Sequence, residues 1–160
     1  MRNEAQAWTP QMFRLFLLVG ILGMGQAAAQ TGSEGRAMWQ PATIRWEPAP
    51  GAPMAGMQQA VLLGDPSNLG RYIIRLRLPA GYSLPPHVYD KTREVTVLSG
   101  VLRFSYGDKY QPEGLTNLPS GSFYVEPANV PAFLEVKEPV ELQITGEGPT
   151  RPPRLVVEQR

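Results

Sequence analysis

Apolar and polar residues alternate along much of the chain after residue 57, which is the pattern of β-strands with one buried face. The clearest case is Gly70–Leu78, where every second residue from Tyr72 to Leu78 is apolar and the arginines at 71, 75 and 77 occupy alternate positions. Similar runs between Gly- and Pro-containing turns predict further strands at Gln58–Leu63, 94–98, Val101–Tyr106, 122–126, 132–136 and 140–145. Eight or nine short strands without a helix predict an all-β, antiparallel sandwich or barrel.

The segments at the two ends of this strand-rich region differ from it in composition. Residues 30–53 are rich in Pro and Gly, which predicts an extended N-terminal arm with an edge strand at 43–46. Residues 54–148 hold the predicted barrel strands, and residues 149–160 form a C-terminal tail in which 155–157 could close the sheet. Residues 109–118 are polar and contain Pro and Gly, so we expect a long loop or a single helical turn there.

The N-terminus carries the pattern of a secretory signal. A short apolar run at 15–24 follows Arg2 and Arg14, and Ala27-Ala28-Ala29 ends the segment with the small residues that signal peptidase accepts. The run is shorter than the roughly 20 apolar residues of a spanning helix. We therefore expect residues 1–29 to be cleaved after Ala29 and the protein to be periplasmic or secreted, without membrane association. An uncleaved anchor is the alternative.

Charge and cysteine content exclude several classes of function. The chain has 15 basic and 14 acidic residues, of which 1–29 holds two and one, so the remainder is formally neutral. A neutral chain lacks the basic stripe of nucleic-acid-binding proteins. The sequence contains no cysteine, so disulfides, thiol catalysis and thiolate metal sites are excluded.

The candidate chemistry is concentrated in residues 81–100, which lead from a Gly- and Pro-rich turn into a β-prone run and contain the single histidine of the chain, His87. His87, Tyr89 and Arg93 occupy odd positions along this stretch, so we expect their side chains to converge on one face. Together they form a donor-rich, cationic cluster suited to a carboxylate, sulfate or phosphate group. Tyr72 and Tyr124 are candidate aromatic walls of the same ligand pocket.

Two segments carry glycines, prolines and candidate ligands at characteristic intervals. The first contains Gly81, His87, Tyr89, Arg93 and Gly100, and the second contains Gly121, Pro127, Ala128, Asn129 and Ala132. This frame resembles the two motifs of the cupin superfamily, especially those of small secreted bacterial cupins, and the resemblance covers residues 43–148. It implies a double-stranded β-helix, or jelly-roll barrel, with a pocket at one open end.

The resemblance also implies four positions for metal ligands, and in this sequence they are His87, Tyr89, Arg93 and Ala132. Arginine keeps its positive charge and repels a divalent cation, and alanine offers no donor atom. We therefore expect no metal and no other cofactor. Glu94 could supply a carboxylate only if a β-bulge before Val95 turned it inward.

Three functions remain open on this basis. The first is a metal-free module that binds a small, anionic molecule in the barrel mouth through His87, Tyr89 and Arg93. The second is a metal-independent isomerase, epimerase or lyase in which His87 is the acid or base, Tyr89 donates a proton and Arg93 clamps an oxyanion. The third is a structural or interaction domain with a filled pocket, in which Arg93 pairs with Glu126 or Glu135. A homodimer formed through the arm and tail is also expected, since exposed strand edges favour pairing.

Overall fold

The computed structural model of the chain describes residues 36–156, and the expected signal sequence lies outside the described residues. Short 3-10 turns occupy Pro41–Thr43 and Pro112–Gly114. The strands are β1 (Glu47–Pro48), β2 (Gln58–Leu63), β3 (Gly70–Leu78), β4 (Ser83–Val88), β5 (Arg93–Ser99), β6 (Val101–Tyr106), β7 (Thr116–Pro119), β8 (Phe123–Glu126), β9 (Ala132–Glu135), β10 (Val140–Gly148) and β11 (Arg154–Leu155).

The strands form two antiparallel sheets that face each other. The six-stranded sheet has the order β1-β2-β3-β10-β5-β8, and the five-stranded sheet has the order β11-β4-β9-β6-β7. The chain crosses repeatedly from one sheet to the other, as in a jelly roll. The predicted all-β, antiparallel barrel is therefore confirmed.

The core lies between the sheets and follows the predicted alternation. In β3, Tyr72, Ile74, Leu76 and Leu78 are buried, whereas Arg77 between them is exposed. Val95 and Val97 of β5 are fully buried from the same sheet, and residues of β4, β6 and β9 meet them from the other. The inward face of β5 also includes Arg93, as its position relative to the two valines predicted.

The arm differs from the prediction at its edge strand, which was expected at 43–46 and lies instead at Glu47–Pro48. Pro41 begins a 3-10 turn that ends at Thr43, and Gln40 and Thr43 close this turn by reciprocal hydrogen bonds. The turn takes up Thr43, the first residue of the expected strand. Pro48 is tolerated in the observed strand because β1 forms the outer edge of its sheet.

Three further segments contain more strand than the pattern indicated. β4 includes Pro85 and Pro86, which lie where the register between β4 and β9 shifts. Their missing N–H groups therefore fall at a bulge and not within a regular ladder of hydrogen bonds. The segment 109–118, expected as a long loop or a single helical turn, contains the 3-10 turn at Pro112–Gly114 and the start of β7. The tail contributes β11, which pairs with β4, although Val157 of the expected closing strand lies outside the described residues. No helix in residues 36–156 is long and apolar enough to cross a membrane.

Candidate functional site

The histidine-containing stretch is divided between the two sheets. His87 lies near the end of β4 in the five-stranded sheet, and Arg93 begins β5 in the six-stranded sheet. Tyr89 therefore lies in the connection between the strands, not on one extended run as the sequence suggested. The loop of the second motif supports this connection, because the backbone N–H of Asn129 donates to the carbonyl of Tyr89 at 2.8 Å.

Arg93 forms a buried ion pair with Glu126. The antiparallel register of β5 and β8 places the two residues directly opposite each other. Arg93 Nε donates to Glu126 Oε2 at 2.8 Å, and Arg93 Nη2 donates to the same oxygen. The residues are only 8% and 4% exposed, so each charge requires the other to offset its lost hydration. Burial is the largest single effect and opposes the charged guanidinium, but the charge and hydrogen bonds of Glu126, together with Tyr89 and Tyr72, outweigh it and raise the pKa of Arg93.

The ring of Tyr89 completes the surroundings of the guanidinium. Arg93 Cζ lies 3.3 Å from the centroid of the Tyr89 ring, which is a cation–π contact. Burial is the largest cause that raises the pKa of Tyr89 to about 12, while the Arg93 charge acts in the opposite direction. The Tyr89 hydroxyl therefore remains protonated at neutral pH and can donate a hydrogen bond.

His87 is 1% exposed and held in one orientation. Its Nδ1 lies 2.9 Å from the carbonyl oxygen of Pro85, and its ring makes an edge contact with Tyr89 at 5.5 Å between centroids. Since a carbonyl can only accept, Nδ1 carries the proton and Nε2 carries the lone pair of the neutral ring. Burial is the main cause that lowers the pKa of His87, so the imidazole is neutral at pH 7.

A cavity of about 380 Å³ lies beside this cluster, between strands β2 and β3, the arm and the tail. Tyr72, Tyr89 and Arg93 border it from inside the barrel. Gly51 of the arm and Pro152 of the tail border it from outside and lie against each other. The arm and tail therefore shape the mouth of the cavity, which the sequence did not indicate.

A second, smaller cavity of about 30 Å³ lies deeper in the barrel. It is bordered by His87, Tyr124 and Glu126, and also by Tyr89 and Arg93. Its volume is close to that of a single water molecule. Tyr89 and Arg93 border both cavities, as do Pro53, Met57 and Leu76, and so lie between them.

The five residues expected to bind a ligand are therefore divided between the two cavities. Tyr72, Tyr89 and Arg93 border the larger cavity, whereas His87 and Tyr124 border only the smaller one. Burial raises the pKa values of Tyr72 and Tyr124, so both phenols remain protonated at neutral pH.

Glu126 is a central residue of the cluster. From the sequence it was expected only as one of two possible partners for Arg93. The other, Glu135, pairs instead with Arg103. The sequence held one usable signal, because Glu126 and Tyr124 alternate along one predicted strand and so share a face. The strand partner of β8 decides between the two carboxylates, and this pairing cannot be deduced from local sequence.

The residues present do not fit the metal centre that a cupin frame implies. Arg93 fills the third ligand position and is already paired, and Ala132 is packed in the core. Glu94 is exposed, and the register of β5 is unbroken from Arg93 to Thr96, so the bulge that would turn Glu94 inward is not formed. Within residues 36–156, no group of three or more His, Cys, Asp or Glu side chains is arranged to hold a metal ion.

Comparison with known proteins identifies the fold and the family. The family described as "Domain of unknown function (DUF4437)" matches residues 39–151. No functionally curated protein has a significantly similar sequence. The polyketide cyclase RemF from Streptomyces resistomycificus has a similar structure, with a TM-score of 0.64 and 15% sequence identity over 78% of this chain and 87% of that chain.

Two further solved structures show the same architecture. A cupin 2 conserved barrel domain protein from Rhodopseudomonas palustris has a TM-score of 0.57 and 15% identity over 75% of this chain and 84% of that chain. KdgF from Halomonas sp. has a TM-score of 0.53 and 13% identity over 70% of this chain and 95% of that chain. At such low identity the likeness concerns the fold alone. The chain therefore shares the jelly-roll fold of these cupin structures, and it belongs to the DUF4437 family.

Proposed function

We propose that this protein is an exported, single-domain cupin that binds a small organic molecule in the 380 Å³ cavity without a metal ion. The observation that carries the proposal is the position of Tyr72, Tyr89 and Arg93 along the inner wall of that cavity. Ligand pockets in proteins typically have volumes of about 300–1,000 Å³, so the cavity suits a small molecule.

The buried cation supports binding that does not depend on a metal. Arg93 brings a permanent positive charge into the barrel, and Glu126 and Tyr89 surround it. A divalent cation placed beside this guanidinium would be repelled, and it would compete with Arg93 for the only carboxylate of the cluster. The polar groups on the inner wall of the larger cavity are instead the phenols of Tyr72 and Tyr89 and the guanidinium of Arg93, which are hydrogen-bond donors.

The anionic ligand expected from the sequence rested on an unpaired Arg93. The ion pair with Glu126 removes that premise, because the pair as a whole carries no net charge. The proposed function therefore requires a small molecule in the cavity but not an anion.

The two alternative functions receive less support. An acid or base must reach its substrate, but His87 borders only the 30 Å³ cavity behind Tyr89 and Arg93. The filled-pocket alternative correctly anticipated the pairing of Arg93 with Glu126. It does not account for the larger cavity beside that pair. Export after cleavage at Ala29 and the homodimer stay predictions.

A fragment screen with two matched variants tests the proposed function. Gln59→Trp places a large ring in the cavity from β2, whereas Gln58→Trp adds the same ring at an exposed position that does not border it. Aromatic and alicyclic fragments are screened by ligand-observed NMR at millimolar concentration. We expect binding that Gln59→Trp weakens at least about tenfold and Gln58→Trp leaves unchanged. Failure of every fragment to bind, or equal binding by both variants, contradicts the proposal.

A further inference from the structure

We propose that the cavity selects an uncharged ligand with an apolar body and a hydrogen-bond-accepting oxygen, such as an amide or ketone oxygen, at its inner end. This inference rests on the proposed function and specifies its ligand class. It follows from three features: the neutral ion pair at the inner end, the carboxylates at the mouth, and the apolar walls between them.

The inner end presents a dipole and not a net charge. Arg93 borders the larger cavity, whereas its partner Glu126 borders only the smaller cavity behind it. A ligand therefore meets the positive side of a pair whose two charges cancel. This dipole stabilises an oxygen that accepts a hydrogen bond. A full anion instead loses its hydration and meets no uncompensated positive charge.

Two tyrosines add donors at the same end. Tyr72 and Tyr89 both border the cavity, and burial keeps both phenols protonated. A protonated phenol can donate to an amide or ketone oxygen. A ligand ammonium group would find no carboxylate at this end of the larger cavity, because Glu126 lies behind Arg93.

The mouth of the cavity disfavours an anion. The carboxylates of Glu47 and Asp65 border it, and so does one exposed cation, Arg151, whose Nε lies 3.9 Å from Asp90 Oδ2. Glu47 and Asp65 therefore repel an entering carboxylate or phosphate. The Asp65 carboxylate is already held in place, because it accepts hydrogen bonds from Ser67 N and Asn68 Nδ2.

The walls between the mouth and the inner end are largely apolar. Ile74 and Leu76 of β3 line one side, and prolines of the arm and tail line the other, among them Pro53 and Pro152. Such walls contribute to the free energy of binding only where they cover an apolar surface of the ligand. A compact ring bearing one accepting oxygen meets all three requirements.

Matched probes separate charge from shape. Benzamide, benzoate and benzylammonium share a ring, and cyclohexanecarboxamide, cyclohexanecarboxylate and cyclohexylmethylammonium repeat the comparison with an alicyclic body. Dissociation constants are measured by NMR titration of the full-length protein at pH 7. We expect the amide of each set to bind the wild-type protein at least about tenfold more tightly than either charged member.

The variant Glu126→Gln tests whether the ion pair sets the preference of the cavity for an uncharged ligand. The substitution leaves Arg93 uncompensated, so we expect the affinity for the carboxylate to rise at least about tenfold relative to the amide. Glu138→Gln removes the same charge at an exposed turn position and should change neither affinity. Since Glu126→Gln could impair folding, Glu47→Gln at the exposed mouth serves as a second variant, with a gain in carboxylate affinity of about twofold.

The outcomes distinguish failure of the inference from failure of the proposed function. Tighter binding of either charged member by the wild-type protein overturns the inference, and so does an unchanged preference in both Glu126→Gln and Glu47→Gln. In those cases, binding that Gln59→Trp abolishes would still support the cavity as a ligand site. If no probe of either set binds, the proposed function itself is contradicted.

Discussion

Arg93 illustrates how one residue changes the chemistry of a site while leaving its frame intact. Its position relative to Val95 and Val97 predicted that it points into the barrel, and the structure confirms this orientation. The identity of its partner could not be predicted, because Glu126 and Glu135 were both available. That choice depends on which strands become neighbours, a non-local property that alternation along one strand does not specify.

The buried pair need not add greatly to the stability of the barrel. Removing two charges from water costs several kcal/mol each, and the attraction between Arg93 and Glu126 offsets this cost rather than exceeding it by a large margin. Loss of only one partner is different, because it leaves an uncompensated buried charge. This asymmetry is the reason that Glu126→Gln is informative about ligand charge.

His87 predicts a pH dependence of stability. Burial lowers its pKa in the folded protein below the ordinary value of 6.5. At pH values between the folded-state pKa and 6.5, the unfolded chain binds more protons than the folded one. The free energy of unfolding therefore falls as the pH drops below 6.5. The loss is at most about 1.4 kcal/mol for each pH unit. Chemical denaturation at pH 7.5 and pH 5.5 measures it, and His87→Asn should remove this contribution.

The histidine can also be titrated directly, because it is the only one in the sequence. Its imidazole proton resonances in one-dimensional NMR should titrate below pH 6.5, while a thermally unfolded sample should titrate near 6.5. A folded-state titration at or above 6.5 contradicts the assignment of His87 as a buried, neutral ring.

At the scale of elements, the strands with clear alternation were predictable and the short ones were not. Gln58–Leu63, Gly70–Leu78 and Val101–Tyr106 have the predicted bounds. β1 and β11 contain two residues each, which is too short for periodicity, and they form because longer neighbours offer unpaired edges. β4 was hidden by two consecutive prolines that are accommodated at a register shift.

The contact between arm and tail predicts the effect of a single methyl group. Gly51 has φ +64°, and a Cβ added there would lie 2.7 Å from Cγ of Pro152. Gly51→Ala should therefore separate the arm from the tail, reduce the free energy of unfolding by about 1–3 kcal/mol and weaken fragment binding. Denaturation and NMR titration measure the two effects.

Gly114→Ala is the matched control, because a Cβ added at Gly114 meets no atom within 4 Å. It should preserve both stability and fragment affinity. If Gly51→Ala behaves like this control, the arm and tail do not shape the cavity as described.

For the whole molecule, alternation and the spacing of two motifs were sufficient to predict the fold. The cavity was not predictable, because its wall combines β2 and β3 with the arm and the tail, which are far apart in sequence. The expectation that the ligand is anionic came from counting the charges of one stretch. The structure shows that a carboxylate of another strand cancels that charge.

We propose that the cavity binds a small molecule without a metal ion. The most direct test is the dissociation constant of the tightest uncharged fragment, measured before and after the protein is treated with EDTA and dialysed, with metal content determined on the same samples. We expect constants that agree within about twofold and no stoichiometric metal in either sample. A full equivalent of a divalent metal that is lost in His87→Ala, together with fragment binding that disappears on chelation and returns with the metal, would contradict it.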